Sequence, residues 1–127
     1  MFNSQDECLT YLEQVRWSGR PTCPYCGSSN ATAYKQERRY HCNNCFTSYS
    51  VTVGTIFHKT HIELQKWFLA IRLIADSSGA ISVRNLAKKL GVSKNTASRM
   101  IQQINREFAN PSDLFNEFWS RFKSFNY

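Results

Sequence analysis

Four cysteines arranged as two pairs carry the clearest chemical signal in the sequence. Two residues separate Cys23 from Cys26 and two separate Cys42 from Cys45, with fifteen residues between the pairs. Each Cys-x-x-Cys turn presents two thiolates from one tight bend, and two such turns complete the tetrahedral ligand set of a zinc ion. Because four protein ligands leave no coordination position for water or substrate, we expect one structural Zn²⁺ and no catalytic metal.

The residues around the pairs favour a metal site over a redox-active dithiol. Gly27 follows the first pair, and Asn43 and Asn44 lie inside the second, where they tolerate the backbone conformations that turn amides towards sulfur. A disulfide framework or a set of unliganded thiols is the alternative. His41 is predicted to be a strand residue and Cys8 a small core residue of a helix, so neither is expected to bind the metal.

The elements that position the cysteines are indicated by capping residues and by the spacing of apolar residues. Ser4 and Glu7 resemble a capping box, which predicts a short N-terminal helix. Residues 31–34, 39–41 and 46–53 are predicted to form the three-stranded antiparallel sheet of a zinc ribbon. Together these segments would hold both cysteine pairs at one end of a small sheet.

The second half of the sequence has the pattern of a helical unit. Thr60 and Glu63 resemble another capping box and open a helix with one apolar face. Ser82 caps a short helix, residues 91–93 form a turn containing a glycine, and residues 94–108 form a third helix. This order predicts a helix-turn-helix, and a three-helix bundle without that specialisation is the alternative.

The last segment repeats apolar residues at three- and four-residue spacing, which predicts an amphipathic aromatic helix. Its stripe consists of Leu114, Phe115, Phe118, Trp119, Phe122 and Phe125. The stripe either packs on the protein's own core or forms a contact in a homodimer or with another chain.

The 127 residues therefore predict a small α+β protein, a zinc ribbon followed by an all-α helix-turn-helix bundle. We divide it into an N-terminal helix (1–20), the ribbon (21–56), a helix-turn-helix domain (57–110) and the aromatic helix (111–127). The sequence has no basic signal-peptide region and no apolar run long enough to span a membrane. Reduced cysteines and the absence of an export signal predict a cytoplasmic, nucleoid-associated protein without a membrane partner.

The charge distribution favours a polyanionic partner. The formal net charge is +7, and residues 77–106 contain six basic residues and no carboxylate. Double-stranded DNA is the predicted partner, because the outward face of the third helix is rich in groups that bind base edges and phosphates. That face carries Lys94, Asn95, Ser98, Arg99, Gln102 and Arg106, of which the first four are predicted to read bases. Phosphate contacts are predicted for Arg84, Lys88 and Lys89 on the preceding helix.

Two other sets of polar residues receive weaker assignments. Arg38 and Arg39 on the ribbon hairpin are candidates for an additional DNA contact. His58 and His61 lack supporting carboxylates, so they are predicted to be polar surface residues and not a second metal site.

Three longer runs resemble the N-terminal region of bacterial insertion-sequence transposases of the DDE type, which join a zinc ribbon to a helix-turn-helix. The runs are CPYCGSSNATAY, RRYHCNNCFTSYSVTVGTIF and QKWFLAIRLIADSSGAISVRNLAKKLGVSKNTASRMI, and the resemblance covers about residues 5–106. It implies that the two cysteine pairs are the zinc ligands and that the helix from Lys94 recognises the element's DNA ends. In that family a following ribonuclease-H-like domain with an acidic triad cuts and joins strands. Residues 112–127 are too few for such a domain, so we expect no catalytic residues.

The sequence thus predicts sequence-specific binding of double-stranded DNA, without enzyme activity and without a small-molecule substrate. A free-standing dimeric transcriptional regulator of transposase origin is the first alternative. A zinc-ribbon adaptor that binds another protein is the second, and weak, sequence-indifferent DNA binding would be its signature.

Overall fold

The computed structural model describes residues 2–34, 38–58 and 60–125 as five helices and one small sheet. In chain order these are α1 (Gln5–Trp17), β1 (Ala31–Ala33), β2 (Tyr40–Cys42), β3 (Ser48–Tyr49), α2 (Leu64–Asp76), α3 (Val83–Leu90), α4 (Lys94–Ala109) and α5 (Asp113–Phe122). The predicted fold class is confirmed, since a three-stranded ribbon precedes a helical region. Every helix within the described ranges is too short or too polar to span a lipid bilayer.

The sheet is antiparallel with the order β1-β2-β3, as predicted, but its third strand is much shorter than expected. The predicted strand over residues 46–53 is reduced to Ser48–Tyr49. Phe46 has a left-handed φ of 63°, which starts the strand later, and the chain turns again after Tyr49. Val51 and Val53 are buried, so their apolar character reflects packing in a turn and not strand pairing.

The turn that replaces the end of this strand is held by a side chain of α1. Nη1 of Arg16 donates hydrogen bonds to the carbonyl oxygens of Val51 and Val53, both at 2.6 Å. A single charged donor therefore satisfies two backbone acceptors that would otherwise have had a strand partner. Burial lowers the pKa of Arg16.

The start of α2 also differs from the prediction, because the capping box at Thr60 does not form. Glu63 occupies the N-cap position without a side-chain cap, and Oε1 of Gln5 in α1 accepts the hydrogen bond from the backbone N–H of Leu64 at 2.7 Å. The Thr60 hydroxyl instead accepts a hydrogen bond from Nε1 of Trp67 at 2.9 Å. The cap thus comes from a residue distant in sequence.

Helix α1 packs against both halves of the molecule. Its last residue, Trp17, lies edge-on to Tyr40 and Tyr49 of the ribbon, with ring centroids 5.5 and 5.8 Å apart. On the other side, the ring of Tyr11 lies 5.8 Å from Phe118 of α5. One continuous hydrophobic cluster includes buried residues from the ribbon and from all five helices.

The aromatic stripe of α5 packs against the protein's own core. Phe115, Phe118 and Phe122 are buried, and the ring of Phe118 lies 5.0 Å from Phe68 of α2. The first of the two alternatives for this stripe is therefore observed. A homodimer through α5 was predicted from an exposed stripe, but these rings of the stripe are buried within the chain.

Removing the Arg16 guanidinium should loosen the junction between α1 and the ribbon. We expect Arg16→Met to lower the free energy of unfolding by about 2–4 kcal/mol, because two buried carbonyls lose a charged donor. Denaturant unfolding of the zinc-loaded protein measures the change. Arg20→Met is the matched control, since Arg20 is exposed; similar losses for both variants would contradict a specific role of Arg16.

Candidate metal centre and nucleic-acid interface

The sulfur atoms of the two cysteine pairs converge on one point. All four Sγ atoms lie within 4.8 Å of one another, with 3.7 Å between Cys23 and Cys45 and 3.5 Å between Cys26 and Cys42. Zn–S bonds of about 2.3 Å at tetrahedral angles place sulfurs about 3.8 Å apart. The observed spacing fits one structural zinc ion with a complete set of protein ligands.

Both turns aim a backbone amide at the sulfur of their first cysteine. The N–H of Tyr25 points at Sγ of Cys23 at 3.4 Å, and the N–H of Cys45 points at Sγ of Cys42 at 3.5 Å. Such hydrogen bonds spread the negative charge of a thiolate and orient it towards the metal. In each pair the sulfur of the first cysteine is therefore stabilised as a thiolate by the backbone of its own turn.

Polar neighbours and burial act in opposite directions on the thiols. The side-chain amide of Asn44 lowers the pKa of Cys26 to about 6, and contact with the Thr47 hydroxyl lowers the pKa of Cys45. Burial raises the pKa of Cys23 to about 11. Four thiolates this close together repel one another, so a cation among them is what allows all four to ionise.

Two residues that sequence analysis excluded as ligands do lie outside the sulfur cluster. Cys8 is fully buried in α1, where burial raises the pKa of its thiol to about 12 and keeps it neutral. His41 lies in β2, with its ring 6.2 Å from that of Phe46. Cys8 is thus a core residue and His41 a strand residue, as predicted.

The turn and helices predicted to bind DNA form as expected from their capping residues. The Ser82 hydroxyl caps α3 by accepting from the N–H of Asn85 at 3.1 Å, and Ser93 caps α4 by accepting from the N–H of Thr96 at 3.1 Å. Between them Gly91 ends α3 in a left-handed conformation with φ 69°. The packed faces of the two helices consist of Leu86, Ala87, Leu90, Ala97, Met100 and Ile104.

Four of the six polar residues predicted on α4 share one exposed stripe. Asn95, Arg99, Gln102 and Arg106 follow one another at four-, three- and four-residue spacing, which aligns them along the side opposite the buried residues. Lys94 and Ser98 flank this stripe, and Ser98 is half-buried. The structure therefore separates a central stripe from two marginal residues.

The basic residues of this surface lack acidic partners within the described part of the chain. Arg84, Lys88 and Lys89 are exposed on α3. None of their side chains, nor any of the polar side chains of the α4 stripe, makes an ion pair with a residue that the structure describes. Since residues 77–106 contain no carboxylate, the positive field of this face is not cancelled locally.

Arg38, a weak candidate for DNA contact, has a structural role instead. It makes ion pairs with Asp6 at 2.8 Å and Glu13 at 3.2 Å, and its hydrogen bond lowers the pKa of Asp6. The acidic, base-free start of the sequence was the signal that could have predicted this partner. Arg39 stays exposed and donates to the Ser48 hydroxyl at 3.0 Å.

Sequence analysis did not anticipate the surroundings of the two connector histidines. His58 and His61 are exposed, as predicted, but they line a cavity of about 300 Å³ together with Arg99 of α4. The cavity lies between α4 and residues 56, 58 and 60–62, which we call the connector. Its residues are far apart in sequence, so local patterns do not reveal it.

Removing zinc should unfold the ribbon, because strands of two or three residues bury too little surface to hold together alone. We expect one zinc per chain by metal analysis and a large loss of thermal stability after chelation. Cys42→Ala should abolish stoichiometric zinc, whereas Cys8→Ala should retain it. Unchanged melting after complete removal of the metal would contradict a structural role.

The two turns offer a matched test of backbone strain. Gly27 and Phe46 occupy equivalent positions, with φ of 79° and 63°, and their N–H groups bond to the carbonyl oxygens of Cys23 and Cys42 at 2.9 and 2.8 Å. We expect Gly27→Ala to destabilise by roughly 1–2 kcal/mol through strain alone, since its Cβ would meet no atom within 4 Å.

Phe46→Gly should have the opposite effect and stabilise by about 0.5–1 kcal/mol. Relief of left-handed strain exceeds the added flexibility of the unfolded chain, and Phe46 is 76% exposed, so little burial is lost. Thermal or chemical denaturation of both zinc-loaded variants measures the pair. Changes of the same sign would refute the equivalence of the two positions.

Comparison with known proteins agrees with the geometry. Residues 3–48 match the transposase zinc-ribbon domain family. The chain is also 30% identical over 113 residues to an uncharacterized protein in transposable element ISH50 of Halobacterium salinarum, an alignment covering 87% of this chain and 38% of that relative. No solved structure matches. Both matches confirm the resemblance inferred from the sequence: the chain carries an N-terminal zinc ribbon of the transposase type and is similar over most of its length to a protein of a transposable element.

Proposed function

We propose that this chain recognises double-stranded DNA at the ends of a transposable element, with α4 placed in the major groove. The transposase-type ribbon and the transposable-element relative support a transposase-related role. The observation that carries DNA recognition is the exposed α4 stripe, a line of amide and guanidinium groups that form no ion pair with any residue the structure describes. In this reading α3, the turn and α4 act as a helix-turn-helix unit.

The side chains divide into two kinds of contact. Asn95 and Gln102 carry amides that pair in bidentate fashion with adenine, so the proposal assigns them to base edges. Arg84, Lys88 and Lys89 on α3 are assigned to backbone phosphates, which supply affinity without sequence information. The zinc ribbon would act indirectly, by holding α1 and thereby the helical core on which α4 rests.

The proposal gives the described residues a role in recognition and not in strand cutting. Two-metal strand transfer requires clustered carboxylates. Here Asp6 and Glu13 pair with Arg38, whereas Asp76 pairs with Arg72 at another place in the fold. The regulator alternative has less support, since it relied on dimerisation through α5, whose stripe is packed inside.

Selection of bound sequences from a random duplex pool tests the proposal with the zinc-loaded protein. We expect enrichment of a defined site, and the enriched site gives the symmetry and specificity of binding. Absence of enrichment over the starting pool would reject sequence-specific recognition and favour the adaptor alternative.

Two substitutions test the division between base and phosphate contacts. Asn95→Ala should cost about 1–3 kcal/mol of discrimination at one base position of the enriched site. Lys88→Ala should weaken all duplexes equally and reduce the salt slope by about one. Lys123→Ala, which removes the same charge from the exposed end of α5, is the control. Equal, sequence-independent effects of Asn95→Ala and Lys88→Ala would refute the division.

A further inference from the structure

The cavity beside α4 brings together polar groups from three elements. His58 and His61 enter from the connector, Thr96 and Arg99 from α4, and Trp67 from α2. Its volume of about 300 Å³ compares with about 30 Å³ for one water in the liquid. It therefore has room for a small ionic group with part of its hydration shell.

Two hydroxyl groups in the cavity wall are arranged as donors. The Thr60 oxygen already accepts hydrogen bonds from the N–H of Ile62 at 3.0 Å and from Nε1 of Trp67 at 2.9 Å. The Thr96 oxygen accepts from the hydroxyl of Ser93 at 3.0 Å. A hydroxyl oxygen has two lone pairs and one proton, so Thr60 has only its O–H proton left for a ligand, and Thr96 has its proton and one lone pair.

The charges in the wall favour the same kind of ligand. Arg99 supplies guanidinium N–H donors, the two imidazoles supply further N–H donors, and no carboxylate is among the described residues of the wall. Apolar neighbours such as Trp67 and Met100 lower the local dielectric, which strengthens interactions with an anion. Thr96 also lies in the first turn of α4, at the positive end of the helix dipole.

We propose that this cavity binds a backbone phosphate of the DNA on which α4 lies. The proposal rests on DNA recognition by α4, because Arg99 belongs both to the exposed stripe and to the cavity wall. It gives the connector, through His58 and His61, a direct part in binding. It also moves Arg99 from base reading to a bidentate phosphate contact, a geometry that guanidinium favours.

The test uses the zinc-loaded full chain and the duplex enriched by selection, synthesised with one neutral methylphosphonate at each backbone position in turn. We expect one position at which the neutral linkage weakens wild-type binding roughly tenfold. The double variant His58→Ala/His61→Ala, and separately Arg99→Met, should bind the unmodified duplex ~10-fold more weakly and lose most of that penalty. Arg106→Met removes an equal charge from the same stripe but lies outside the cavity wall, so it should keep the full penalty.

Three results would overturn the proposal in different ways. A methylphosphonate penalty of equal size in all four proteins would reject the phosphate site while leaving DNA recognition intact. Enrichment of no duplex would reject the proposed function and this site with it. In the third arm, inorganic phosphate is titrated into the DNA-free protein while the imidazole resonances of His58 and His61 are followed. Saturable shifts with inorganic phosphate that the duplex does not reverse would make a free anion the ligand, whereas displacement of the phosphate by the duplex supports the DNA backbone.

Discussion

The packing of α1 between the ribbon and the helical half is the interaction on which the rest of the structure depends. Trp17 meets the aromatic residues of the sheet at one end of α1, and Tyr11 meets those of α5 along its length. The polar side chains of α1 act in the same direction, because Arg16 closes the turn after β3 and Gln5 caps α2. A ribbon and a helical unit, each too small to bury a large core alone, thereby share one core.

The zinc site complements this packing, because it orders the short strands of the ribbon, which bury too little surface to be ordered by packing alone. Strands of two or three residues make few ladder bonds, so the order of the ribbon comes from four metal–sulfur bonds and the amides aimed at the sulfurs. A repeated turn builds both halves of the site, and one half even accepts Phe46 in a left-handed conformation. The metal and α1 therefore act on opposite ends of the same small sheet.

Whether an interaction could be predicted from the sequence depends on how far apart its partners lie along the chain. The cysteine spacing and the serine caps of α1 and α3 are local, and each was predicted within a residue or two. The errors involve partners distant in sequence, such as Gln5 on α2, Arg16 on the turn after β3 and Arg38 on α1. A local motif cannot reveal that a nearby cap will be displaced or that a basic residue will be neutralised. The wall of the α4 cavity was missed for the same reason.

The ion pairs between the ribbon and α1 also bear on the proposed interface. Asp6 and Glu13 pair with Arg38, and all three residues precede the basic segment 77–106. These two carboxylates thus lie far in sequence from residues 77–106, and their charge helps to join α1 to the ribbon. The shared core then presents the α3–α4 surface, where the basic side chains make no ion pair with a described residue. A polyanion is the partner that such an arrangement attracts most strongly, and the donors of the α4 cavity extend that attraction to the connector.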